Sequence, residues 1–336
     1  MNEQDLLTAL GPLASLYQDE TVNEIMVDSP DRVYVERRTA EGPQLQDIAS
    51  PFKSSEDIRA VIDAVLALDG ITLGPQKTYA DVRFPDGSRM MAVIPPTAVG
   101  GPCLVIARML GAQTAVITWE KLLEWGAVTQ ETYEFLQRAI RADVVTLIAG
   151  GTFSGKTTLA SRIAELIPPD KRMIAVEAIR EMQVRHPRCL YLEAGGPAHV
   201  SFADLIDTAA RMRPDWLVIG EVWGPEAMRA LQVMSRGHDG LMNTHADSVE
   251  DALNRLEAMC LMANLGLGLS DIRRTIASAL RMIVYQERLP SGKRKITQIV
   301  ELRGLENDRY MLQPLFRYNP EKERLEATGA KATWES

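Results

Sequence analysis

Residues Gly150–Ala160 read GGTFSGKTTLA. Gly150 and Gly155 bracket four residues and are followed by Lys156 and Thr157, the spacing of a loop that wraps phosphates. Just upstream, VVTLIA (144–149) is an almost unbroken apolar run, as expected of a strand buried on both faces of a parallel sheet. Just downstream, TTLASRIAELI (157–167) sets Leu159, Ile163 and Leu166 on one helical face. A strand, a glycine loop and a helix in that order give the spacing its meaning. The backbone of Gly150, Gly151, Thr152, Phe153, Ser154, Gly155, Lys156, Thr157 and Thr158 is then the expected nucleotide cradle. Its N–H groups and the helix N-terminus supply positive potential. Lys156 is expected to reach the β and γ phosphates, and the Thr157 hydroxyl to hold Mg²⁺. Phe153 is bulky for such a loop and is strained there if its position needs positive φ. It could cover the phosphates or touch the base; the sequence leaves both open.

Outward from the loop, strands and helices alternate. MIAVE (173–177), WLVIG (216–220) and GLMNTH (240–245) read as strands. SFADLIDTAARM (201–212), PEAMRALQVMS (225–235), DSVEDALNRLEAMCLMANLG (247–266) and SDIRRTIASAL (270–280) read as helices, with Ser248 and Asp251 at capping-box spacing. Residues 281–304 read as a hairpin around Pro290-Ser291-Gly292. The expected fold is α/β with an α-plus-β tail. Residues 1–108 read as a smaller α+β domain. LLTALGPLASLY (6–17) and SEDIRAVIDAVLAL (55–68) are helix-like, EIMVD and RVYVERR pair across a turn at Ser29–Asp31, and Pro85-Asp86-Gly87 turns a second strand pair. Residues 109–118 are the expected connector, and 119–336 the second domain. Thr118 and Thr129 are placed to cap its first two helices.

Several polar residues stand where these strands end. Glu221 follows WLVIG, where a phosphate-loop protein holds magnesium, partly through water; Gly220 occupies the position that often carries Asp. Asp215, at the other end of that strand, is expected to be a loop anchor. Glu177 ends the strand after the loop helix and could polarise an attacking water; Glu181 is a weaker candidate. His238 and His245 flank a strand, and a hydrogen bond from His245 could sense the γ-phosphate. Neither pair they could form with His186 or His199 has the spacing of zinc ligands. Arg83, Arg89 and Arg108 lie on or beside first-domain strands and could supply a guanidinium to the transition state.

The 336 residues exceed the ~100–200 typical of one domain, in keeping with two. A formal net charge of −8 argues against broad coating of DNA or RNA, so no direct nucleic-acid partner is expected. Cys103, Cys189 and Cys260 are scattered without a CxxC, as in a cytoplasmic protein with reduced thiols. MNEQDLLTAL carries no basic region ahead of an apolar block, so a signal peptide is not expected. No apolar run approaches the ~20 residues of a membrane helix, so no membrane insertion is expected.

GGTFSGKTTL, VEAIREMQV, RMRPDWLVIGEVWGPEA and GHDGLMNTHADSVEDALNRLEAM occur in the order of the Walker A, Asp box, Walker B and His box of type II/IV secretion ATPases. VNEIMVDSPDRVYVER and FPDGSRMMAVIPPTAVGGPCLVIARM are similar to the family's first domain. The chain resembles that family from Thr21 to Leu302, and within it the CpaF-like branch of Tad (Flp) pilus assembly. The resemblance implies a RecA-like P-loop ATPase domain behind a smaller PAS-like one, a homo-hexameric ring, and ATP and Mg²⁺ bound between domains. Glu177 would match the catalytic acid, Glu221 the Walker B acid and His245 the His-box histidine. Arg89 and Arg108 would match the arginines brought to the nucleotide. Work would be done on an inner-membrane platform protein, from the cytoplasmic face of the cell membrane. A conjugation ATPase on the same fold and a nucleotide-binding scaffold with little turnover are the alternatives. The chain departs from the family at Phe153 (usually Gly), Ala178 (usually Asp) and Trp223 (often Arg). Its Gly240–His245 stretch is one residue shorter, and it lacks the long N-terminal extension of many CpaF-like proteins, whose partner contacts are expected to be missing or made elsewhere.

Overall fold

Apolar side chains at alternate positions build the first sheet. The strands are β1 (Val22–Ser29), β2 (Arg32–Thr39), β3 (Gly42–Ile48), β4 (Tyr79–Arg83), β5 (Arg89–Val93) and β6 (Cys103–Ala107). They lie antiparallel in the order β3-β2-β1-β6-β5-β4. Val33 and Val35, Met90 and Ala92, and Leu104 and Ile106 share the buried face. They pack with Leu6 and Leu10 of α1 (Glu3–Leu10), Tyr17 of α2 (Ala14–Gln18) and Ile58, Ile62 and Leu66 of α3 (Ser55–Ala67). The single helix expected over 6–17 is two: the chain breaks at Gly11, with φ +51, and Pro12, which has no N–H to continue the ladder. Strand β3 was not expected, because GPQLQDI has no alternating apolar pattern; it pairs along β2 through its main chain.

The structure, a computed structural model, describes residues 2–39, 42–108, 117–194 and 200–335. It divides into two units, Met1–Val116 and Ile117–Ser336. Of the expected connector, 109–116 lies outside the described residues, as does His199.

The second unit opens with α4 (Trp119–Glu124) and α5 (Gln130–Arg141), whose N-caps are Thr118 and Thr129. Then come β7 (Thr146–Gly150), α6 (Lys156–Ala164), β8 (Met173–Glu177), β9 (Cys189–Glu193), α7 (Phe202–Arg211), β10 (Trp216–Val222), α8 (Glu226–Ser235) and β11 (Asp239–His245). The rest is α9 (Val249–Met262), α10 (Leu269–Ala279), β12 (Met282–Arg288), β13 (Arg294–Glu306), β14 (Arg309–Asn319) and β15 (Arg324–Ala327). The sheet order is β15-β14-β13-β12-β7-β11-β10-β8-β9. From β12 to β9 the neighbours run parallel, and β12 to β15 are an antiparallel extension longer than the expected hairpin. Helices cover both faces. Alternation is visible in β7, where Leu147 and Ala149 enter one core and Ile148 the other. In β10, Leu217 and Ile219 face one way, Trp216 and Val218 the other. That double burial is why both strands read as continuous apolar runs.

Both neighbours of β7, β11 and β12, are distant from it in sequence. The chain leaving β7 therefore crosses to β8 beyond β11 and β10, and a crevice opens at the carboxyl end of β7, the place where open α/β sheets bind ligands.

Candidate nucleotide site

The loop at that crevice is shaped by two glycines with different tasks. A Cβ on Gly150 would overlap the main-chain oxygen of Gln286 on the adjacent β12, so this glycine permits strand contact. Gly155 has φ +92 and is the N-cap of α6, leaving the first turn of that helix without a side-chain cap. Phe153 holds φ +57 although it is not glycine, and the residue is 65% exposed. Such a conformation costs a residue with a Cβ about 1–2 kcal/mol. It persists where surrounding structure or function enforces it.

Around the loop lies a hollow of about 380 Å³ lined by Thr152, Phe153, Gly155, Lys156, Thr157, Thr158, Glu181, Glu221, His245 and Arg294. The Lys156 ammonium donates to the Gly151 carbonyl at 3.1 Å and lies 3.8 Å from the Glu221 carboxylate. Burial holds its pKa below the usual lysine value, with Glu221 and Glu181 opposing that shift. Thr157 Oγ1 donates to Glu181 Oε2 at 3.3 Å. His245 ends β11 opposite Gly150, and the next residue, Ala246, donates its N–H to the Gly150 carbonyl at 3.2 Å. Asp215 accepts from the Arg172 N–H at 2.6 Å, a loop anchor at the far end of β10.

Glu221 reaches the hollow through an irregularity in β10. The register with β11 shifts between Ile219 and Glu221, at Gly220. A Cβ on Gly220 would sit 2.9 Å from Glu177 Cγ, so an Asp at that position would collide with Glu177. Glu177 itself is 3% exposed and stands behind the lining rather than on it. Its Oε1 accepts from the N–H groups of Glu181 and Met182, both at 3.0 Å. Burial raises its pKa to about 7, against those two hydrogen bonds. Glu181, one turn of chain later, is the acid that faces the hollow.

Buried polar atoms without a hydrogen-bond partner are uncommon in proteins. Among the described residues, eight side-chain atoms are of this kind, and four of them, Ser154 Oγ, Glu177 Oε2, Asn243 Oδ1 and Gln286 Oε1, belong to the loop or to strands converging on it, while those of Arg108, Arg162, Tyr310 and Trp334 do not. That concentration fits a site built for a polar ligand. Thr157 and Glu221 are oxygen donors of the type Mg²⁺ prefers, few enough to leave its other positions to water and phosphate.

The first-unit arginines are engaged within their own sheet. Arg89 pairs with Asp81 (Nε to Oδ1, 3.2 Å). Arg108 donates to the carbonyls of Asp19 and Val22 (3.1 Å to the latter) and lies 5.1 Å over the Tyr17 ring. Arg294 was missed from the sequence. It lies in the C-terminal hairpin, and only the pairing of β12 with β7 brings that hairpin to the loop.

The sequence pattern of type II/IV secretion system proteins matches residues 7–310. A Mycobacterium tuberculosis protein named for conjugal transfer is 29% identical over 315 residues, covering 90% of this chain and 87% of that one. The type IV secretion system protein PtlH of Bordetella pertussis is 28% identical over 332 residues, covering 89% and 95%. Among solved structures, the pilus retraction motor PilT with bound ADP superposes with a TM-score of 0.58 over 96% of this chain and 84% of that one, at 15% identity. At that identity the likeness concerns fold alone: a RecA-like α/β domain following a smaller N-terminal one. With the phosphate loop, the strand order and a match over most of its length, the chain belongs to the type II/IV secretion system protein family.

Proposed function

We propose that this chain is an ATPase that turns ATP hydrolysis into mechanical work for pilus assembly of the Tad type or for secretion. It works as a homo-hexamer on the cytoplasmic side of the inner membrane, against a membrane platform protein. Among the described residues no helix is long and apolar enough to cross a membrane, which fits action through such a partner. The observation that carries the reading is Lys156, held between the Gly151 carbonyl and Glu221 beneath an uncapped helix N-terminus. An ammonium so held is ready to exchange those contacts for phosphate oxygens.

In this reading the amides from Gly150 to Thr158 cradle the phosphates and Lys156 bridges the β and γ groups. Thr157 and Glu221 would hold Mg²⁺, which would supply charge neutralisation on the phosphate oxygens. Glu177, with its pKa raised to about 7, orders Glu181 and Met182 through their N–H groups, and it would take a proton from attacking water once nucleotide binding opens its buried Oε2 to the hollow. His245 hydrogen-bonds the terminal phosphate. Arg89 and Arg108 would be the first-domain guanidinium groups that complete the site, exchanging their contacts to Asp81, Asp19 and Val22 for it.

The test is steady-state ATPase with Lys156→Ala and Glu221→Ala. Each is expected to lower turnover by at least roughly 10²-fold, the scale of losing a preorganised electrostatic contact. Equal rates in all three proteins would sink the motor reading. Nucleotide binding without turnover in the unmodified protein would leave a scaffold. The relative named for conjugal transfer favours one second reading, a DNA-transfer ATPase on this fold; the formal charge of −8 weighs against direct DNA contact.

A further inference from the structure

The hollow around the phosphate loop is electrically lopsided. Its acids come from one side of β7: Glu221 from β10 and Glu181 from the segment after β8, with His245 on β11. On the other side, past β12, the lining side chain is Arg294 at the start of β13. In the ATPase reading magnesium and the terminal phosphate would lie at the acidic end, where Thr157 and Glu221 stand. The part of a nucleotide left for the β12 side is the diphosphate of ADP.

Arg294 is aimed there by strand geometry. Strand β12 runs parallel to β7 with Gln286 beside Gly150, continues to Arg288, and turns. The turn is closed by Leu289 N–H to the Lys293 carbonyl and Gly292 N–H to the Leu289 carbonyl, both at 2.8 Å. Arg294 then pairs with Arg288 on the return. Successive strand residues point to opposite faces. Lys293 and Lys295 both reach Glu323, Lys293 Nζ to its carboxylate at 3.0 Å and Lys295 Nζ to its carbonyl. Arg294, between them, must point the other way, toward the loop. Its Cδ lies 3.3 Å from where a Cβ of Gly155 would stand, so the missing side chain of Gly155 lets the arginine stem cross the loop.

We propose that Arg294 is a cis nucleotide-binding residue that grips the α and β phosphates, on the side of the loop opposite the magnesium acids. The inference rests on the ATPase reading above and deepens it. A guanidinium matches two phosphate oxygens at once, which a lysine ammonium does not. It holds the diphosphate before and after hydrolysis, so its contribution is to binding more than to turnover number.

The experiment is calorimetric titration of the full chain with ADP and with inorganic pyrophosphate, for the unmodified protein, Arg294→Gln, Arg294→Lys and Lys293→Gln. Arg294→Gln is expected to weaken both ligands by roughly ten- to a hundredfold, the scale of a charge-assisted hydrogen bond. In ATPase assays its KM rises more than its kcat falls. Arg294→Lys recovers part of the loss, and Lys293→Gln, on the other face, changes neither ligand. Unchanged ADP and pyrophosphate affinity in Arg294→Gln, or an equal loss in Lys293→Gln, would overturn the assignment while leaving the ATPase reading intact. If the unmodified protein binds neither ligand, both fall together.

Discussion

Glu177 sets two preferences of a carboxylate against each other. The N–H groups of Glu181 and Met182 favour the charged form at Oε1, while Oε2 is buried without a partner. Burial wins, and the pKa rises from 4.5 to about 7. The folded chain therefore binds a proton that the unfolded chain has released between pH 4.5 and 7. Stability from this group is full below the unfolded value and is lost as pH rises through the folded one. Two to three pH units correspond to about 3 kcal/mol. In nucleotide-free protein, Glu177→Gln should remove this component. Its melting temperature should fall less than that of the unmodified chain between pH 5.5 and 8. Parallel pH profiles in the two proteins would show that Glu177 is ionised throughout.

At the scale of the element, the close pairing of β7 with β12 governs the site. The first glycine of a phosphate loop is usually discussed through the phosphates, yet Gly150 here meets the Gln286 main chain. A main-chain oxygen in a paired strand cannot rotate aside as a side chain can. Gly150→Ala should therefore cost at least about 3 kcal/mol, the upper range for overpacking, read as a drop in the urea midpoint. Gly151→Ala is the control: only Asp247 Oδ1, at 3.8 Å, comes near its Cβ, and its midpoint should barely move. Equal losses would mean that strand contact is not what Gly150 serves. Caps were partly readable at this scale. Ser248 Oγ accepts from Asp251 N–H at 2.9 Å as the spacing suggested, but the Asp251 carboxylate reaches back to Asp247 N–H, also at 2.9 Å, one residue before the expected partner.

At the scale of the whole molecule, the described residues form three apolar cores, one within residues 6–106 and two within the second unit, on opposite faces of its sheet. Among these residues no core mixes the two units. Residues 117–336 expressed alone should then unfold cooperatively and bind ADP with an affinity close to that of the full chain. If Arg89 and Arg108 complete the site as proposed, the ATPase of residues 117–336 should be far lower. Absence of a cooperative transition would refute the independence of the cores, and full turnover would reject a role for those arginines.

Local, contiguous signals made much of this chain legible. The strand, loop and helix around Gly150–Ala160 lie within some two dozen residues, and the buried parallel strands announce themselves because both faces need apolar side chains. Strand β3 was not readable, because an edge strand is held by main-chain pairing and GPQLQDI shows no pattern. The same limit applied inside the site. The sequence ranks Glu177, at the strand end, ahead of Glu181; burial against Gly220 puts Glu177 behind the lining and leaves Glu181 on it. Arg294 lies far along the chain from Gly155, and nothing in SGKRK distinguishes it from its lysine neighbours. Which of three adjacent cations faces the phosphate loop depends on the register of β13 against β12 and of β12 against β7. Register is a long-range property, decided only when the strands pair.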